Sequence, residues 1–207
     1  MVKDCFKATA LLLGLLCFFS LPLQAADPRA ELLQILDKTP VFSAAFSQTV
    51  HKSDGSTMQG SRGTIALRQR SGQLLMHSLE PDELILLAKG QLVCFYDPFV
   101  NQATLFSVSQ LQDSPFLLLS GSSRASWDRY EVTRDGEGYV LKSKKRSDVQ
   151  ELRLYFTNGF VSRIELKMQD GSLNVYELSS QRRAVDAGAF DFSIPDDAEI
   201  DDERGAK

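Results

Sequence analysis

Few residues of this chain are of a type that could carry covalent or metal chemistry. Past the first 25 positions, histidine occurs only at His51 and His77, and cysteine only at Cys94. Two separated imidazoles and one thiol do not make a zinc set, which needs about four closely spaced nitrogen or sulfur ligands. No metal ligand is therefore expected. His51 ends an alternating run beside a turn and His77 lies inside another, so both read as surface or core filler. Cys94, between Val93 and Phe95, reads as a small buried hydrophobe. Asp82-Glu83 and Asp97 could pair as general acid and base, but carboxylates at strand ends are ordinarily solvated. No G-x-S-x-G elbow or glycine-rich phosphate loop occurs. No catalytic residue and no cofactor is assigned, and an enzyme is not expected.

The work must then lie in how apolar side chains are arranged. Of 207 residues, 43% are hydrophobic and 24% charged, an ordinary globular composition. Lys3 and Lys7 precede an apolar run from Ala8 to Leu23, followed by Leu23-Gln24-Ala25 as a small-residue cleavage site. Such a layout predicts a cleaved export signal over residues 1–25. One domain of about 182 residues remains, from Ala26 to Lys207. Without Lys3, Asp4 and Lys7 the chain keeps 21 basic and 26 acidic residues, a net charge of −5. That balance argues against nucleic acid or an anionic membrane surface as the main partner. Leu16 before Cys17 lacks the small residue of a lipid-attachment site, so a soluble exported protein is expected.

Asp27-Pro28 predicts a helix start, with an oxygen acceptor at the N-cap and proline at the first helical position. Ala30, Leu33 and Ile35-Leu36 follow at helical spacing until Pro40. Period-two alternation then dominates. Phe42, Ala44, Phe46 and Val50 mark one strand, and Thr57 to Leu67 returns with Gly60 and Gly63 inside it, as where a sheet bends. Further strands are expected at 74–79, 83–88, 91–96, 102–108, 127–134, 139–144, 151–156, 160–169 and 173–181, with a short last one near 190–194. Asp135-Gly136, Asn158-Gly159 and Asp170-Gly171 are hairpin turns. Ser114-Pro115 caps a short apolar helix, Phe116 to Leu119. The acidic tail from Asp196 to Glu203 is expected to be solvated. The pattern predicts a mainly β (α+β) fold of about 10–11 antiparallel strands with short helices; a sheet of that size curls, and a curled one can enclose a cavity.

Phe46-Ser47-Gln48-Thr49-Val50 and Phe95-Tyr96-Asp97-Pro98-Phe99-Val100-Asn101-Gln102 resemble the LolA-type outer-membrane lipoprotein carrier proteins. Ser114-Pro115-Phe116-Leu117-Leu118-Leu119 resembles that family's central helix, and Ala184 to Phe192 its C-terminal segment. The resemblance runs from the first helix to the tail. It implies an unclosed antiparallel β-barrel with a helical lid over an apolar cavity. It also implies a periplasmic chaperone that takes acylated lipoproteins from an inner-membrane ABC transporter to an outer-membrane lipoprotein receptor. A monomer is expected, because such a handover suits one accessible cavity mouth. A carrier of free lipid or another small apolar ligand is the alternative.

On this reading Leu33, Leu36, Phe46, Leu75, Phe95, Phe116, Leu117, Leu118, Ile164 and Met168 line the cavity or the lid. The family's arginine that bonds the lid helix, from an Arg-Pro pair, corresponds to Arg70, here followed by Ser71, with Arg68 as the alternative.

Overall fold

The computed structural model describes residues 27–111, 114–121 and 124–205. The expected export signal, residues 1–25, lies outside them. Helix α1, Pro28–Asp37, begins where Asp27 accepts a hydrogen bond from the Arg29 amide at 3.0 Å. Six strands follow: β1 Val41–His51, β2 Thr57–Arg68, β3 Gln73–Glu80, β4 Leu84–Lys89, β5 Leu92–Asp97 and β6 Gln102–Ser107. Helix α2, Pro115–Leu119, comes next. The second half holds β7 Tyr130–Asp135, β8 Gly138–Ser143, β9 Val149–Thr157, β10 Phe160–Met168, β11 Leu173–Arg182 and β12 Glu199–Asp202.

All twelve strands lie in one sheet, ordered β12-β6-β5-β4-β3-β2-β1-β11-β10-β9-β8-β7. The end strands β12 and β7 are not paired with each other, so the curled sheet stays open. The hairpin expectations hold: Thr157 faces Phe160 across Asn158 (φ 53°) and Gly159 (φ 76°), the double positive φ of a type I′ turn. Curvature is introduced where β1/β2 and β2/β3 shift register, near Ser47–Thr49 and Arg62–Gly63. At Gly63 the β3 backbone comes so close that a Cβ would lie 1.9 Å from the His77 carbonyl oxygen.

One expectation about the C-terminal region is corrected, and another gains a detail. Residues 190–194 form no strand. They lie across the convex side of β2–β6, where apolar side chains need cover. Phe190, 2% exposed, packs with Ala66 and Leu87, and the Phe192 ring centroid sits 5.4 Å from that of Tyr96. The acidic tail is exposed, as expected, and part of it is ordered as a strand. Glu199–Asp202 forms β12 beside β6, and this pair is parallel because the covering segment brings the chain back to β6 before β12 starts. A smaller difference is that Ser114 precedes α2 without a side-chain capping bond.

The concave side holds the main core. Phe42, Phe46, Ile65, Leu74 and Val93 from the first half meet Leu141, Leu152, Leu154, Ile164 and Leu178 from the second. Both helices pack into it through Leu32, Leu36 and residues 116–119 of α2, all buried.

Candidate functional site

The site is built from the concave face and the two helices laid against it. Alternation decides which side chains reach it. On β3, Leu74 and Met76 join the concave core, whereas Leu75 points the other way and packs with Phe190's cluster. Leu75 is therefore corrected from a cavity residue to a convex one. On β4 and β5, Leu86 and Val93 face inward, while Ile85, Cys94 and Tyr96 pack under the C-terminal cover. Burial pushes the Cys94 thiol up, which keeps it protonated and unreactive.

A cleft of about 500 Å³ opens between β2–β6 and α2. Met76, Leu84, Leu86, Phe95, Val100, Phe116 and Tyr176 give it apolar walls, and Ser61, Ser78, Asp97, Gln102, Thr104 and Ser114 lie around it. Phe95 is 42% exposed and meets Phe106 edge-on at 5.7 Å. Asp97 shapes the following turn by accepting from the Phe99 amide at 2.9 Å, and Phe99 stands almost wholly in solvent. Phe116 from α2 meets Tyr176 edge-on at 5.0 Å, and Tyr176 in turn lies 6.1 Å from Phe46. Burial pushes the Tyr176 phenol up to about 12, so it is neutral at any physiological pH.

Behind α2 the interior is filled. Leu36, Phe42, Ile65, Leu67, Leu119 and Ile164 enclose only about 20 Å³, room for about one water. The helices therefore occupy the space that the curled sheet would otherwise leave open. Of the expected site residues, Leu36, Phe46, Phe116, Leu117, Leu118 and Ile164 meet in this core, with Met168 partly buried against it. Leu33 is also partly buried against this core and borders an outer groove of about 420 Å³ beside the lid, together with Asp37, Arg70 and Trp127. Phe95 reaches the cleft rather than the core. Leu32, Met76 and Tyr176 join the site without being expected there. The i, i+4 pair Leu32/Leu36 is the available sign of which helix face turns inward.

The arginine expectations differ from what is found. Arg70 is exposed at the outer groove and, among the described residues, bonds no lid group. The bond to α2 comes from its neighbour, as Gln69 Nε2 donates to the Leu119 carbonyl at 3.4 Å. Gln69's own amide donates to the Pro40 carbonyl at 2.9 Å, so one residue ties the start of β1 to the lid. Arg68 faces the opposite side, its guanidinium 5.0 Å from the Phe190 ring.

Helix α1 is fastened at the open edge by ion pairs. Arg29 contacts Asp128 at 2.6 Å, and Glu31 receives a hydrogen bond from Arg134 on edge strand β7. Arg134's bond, with a smaller contribution from Tyr139, holds the Glu31 carboxyl below its usual range. A depressed carboxyl pKa stabilises docking above the ordinary value of about 4.3, and that stabilisation is lost as pH falls through the folded value. The protection of α1 amides, relative to the intrinsic exchange rate at each pH, is accordingly expected to fall below about pH 4. Glu31→Gln should flatten that dependence; an unchanged acid profile in the variant would show that the pair does not fasten the helix.

His77 pairs with Glu83 at 2.7 Å on the surface, and His51 bonds Thr57. Neither reaches the cleft lining. What the arrangement offers is an open apolar cleft beside a core filled by two helices, chemistry suited to sheltering hydrocarbon.

The model of the family "Outer membrane lipoprotein carrier protein LolA" matches residues 37–193. A protein of Glaesserella parasuis serovar 5 named outer-membrane lipoprotein carrier protein is 34% identical over the full length of both chains. One of the same name from Haemophilus ducreyi is 35% identical over 86% of each. Among solved structures, an uncharacterized conserved protein from Thermus thermophilus superposes with TM-score 0.51 over 84% of this chain and 98% of its own. At 13% identity that likeness concerns the fold alone. With a family match across its core and relatives aligned end to end, this chain belongs to the LolA family of outer membrane lipoprotein carrier proteins.

Proposed function

We propose that this chain is a periplasmic chaperone that carries acylated lipoproteins from an inner-membrane ABC transporter to an outer-membrane lipoprotein receptor. The observation that carries the reading is the apolar concave face filled by α1 and α2, with an apolar cleft of about 500 Å³ standing open beside α2. Each acyl methylene brought from bilayer to water costs about 0.8 kcal/mol, so a lipid anchor does not cross an aqueous space unaided. Apolar walls shelter the chains without any covalent step, and a lid that competes for the same walls lets them leave again. No helix among the described residues is long and apolar enough to cross a membrane, consistent with a carrier that moves between two of them.

Depletion of the protein, followed by fractionation of the two membranes, tests this. Lipoproteins destined for the outer membrane should accumulate in the inner one. Purified from the periplasm, the protein should bring acylated lipoproteins with it. Recovery of free phospholipid alone would favour a carrier of free lipid instead.

A further inference from the structure

We propose that acyl chains load in two stages, the first chain entering the open cleft while the lid is still closed, and the Phe116–Tyr176 ring contact gating passage to the interior. The inference rests on the carrier reading and concerns the order in which the same site fills. Two spaces of very different size exist at once, about 500 Å³ in front of α2 and about 20 Å³ behind it. The cleft has the size of a site for one small apolar ligand, roughly 300–1,000 Å³, one acyl chain and not three.

The gate follows from where α2 presents its side chains. Phe116 borders the cleft and Leu119 borders the filled space, so the short helix is the wall between them. The edge-on contact of Phe116 with Tyr176, backed by Phe46, closes that wall with aromatic rings. A chain in the cleft lies against Phe116 without needing α2 to move. Further chains joined to the same lipid have no room there, and they reach the concave core only if Phe116 leaves Tyr176 and α2 lifts.

Trp127 is the one tryptophan of the chain, 3% exposed and set beside Leu33, Leu36, Leu118 and Leu119. Its fluorescence thus reports on the lid and not on the cleft. Mature protein is titrated with palmitate and, separately, with a triacylated lipopeptide. Palmitate should saturate at one molecule per protein with Trp127 emission unchanged, whereas the lipopeptide should shift it to the red. Phe116→Ala should let palmitate produce that shift too. Phe116→Leu, which keeps an apolar side chain of similar reach, should remain folded and show at least a several-fold smaller palmitate response than Phe116→Ala. A palmitate shift in the unaltered protein equal to the lipopeptide's, or uptake of three palmitates with the lid closed, overturns the two-stage order and leaves the carrier reading standing. Failure to bind the lipopeptide at all overturns both.

Discussion

Glutamate at position 118 should unfasten the lid and weaken cargo retention together. Leu118 is 2% exposed in the core that both helices share. Removing a buried leucine costs about 2–5 kcal/mol, and a carboxylate does not remain charged in that setting without a partner. The docked state of α2 should therefore lose about 3 kcal/mol or more, a shift in the lid equilibrium on the order of 100-fold. Hydrogen exchange at residues 117–120 should quicken by about that factor if lid opening governs it. Lipoprotein binding should fall as well, because the new side chain also faces the space the acyl chains would take. Leu118→Ala separates the two effects: it loosens α2 without adding charge, so exchange should quicken while affinity for an acylated ligand rises. Unchanged exchange and unchanged binding in both variants would remove the basis for a lid that competes with cargo.

Gly63→Ala should damage the fold more than any single change at the surface. The added methyl would meet the His77 carbonyl oxygen at 1.9 Å and the Ser78 Cα at 2.8 Å, both backbone atoms of the paired strand. Neither can swing aside as a side chain would, so β2 and β3 must part where the sheet bends. Overpacking of this kind costs about 3 kcal/mol or more. The variant should lose many degrees of melting temperature, or fail to accumulate. Gly55→Ala is the control for a missing side chain: no atom lies within 4 Å of its added Cβ, although its φ of 84° still exacts a modest strain. A Gly63→Ala protein as stable as Gly55→Ala would show that the two strands can separate freely.

Which parts of the fold are readable from sequence follows from how local their causes are. The Asp27-Pro28 helix start and the Asn158-Gly159 hairpin depend on neighbours a few residues away, and both stand where expected. Parity along Leu74-Leu75-Met76 is not readable, because both faces of β3 are covered and the strand is apolar throughout that stretch. A strand covered on one side alternates, one covered on both does not. Leu75 is thus expected in the cavity when Met76 belongs there. The cover itself, residues 185–194, has no period because its side chains fill gaps set by β2–β6 rather than by its own backbone. The lid bond falls to Gln69 and not Arg70 since a 3-10 turn over Gln69–Ser71 decides which side chain points back at α2. Nothing in the local sequence announces that phase.

The acidic strand at the end of the chain also bears on how this molecule behaves when crowded. A curled sheet that does not close leaves an edge of unpaired N–H and C=O groups, on which another chain can polymerise. Here β12 caps the β6 edge and leaves Glu199 and Asp201 exposed on one face, with Asp202 exposed on the other and ion-paired to Arg204. Asp202, held at about 2 chiefly by a hydrogen bond from Arg204, keeps its charge well into acid. A second copy approaching the β12 edge meets the like charges of Glu199 and Asp201 before any strand can zip onto it, so that end of the open sheet is guarded against fibril growth.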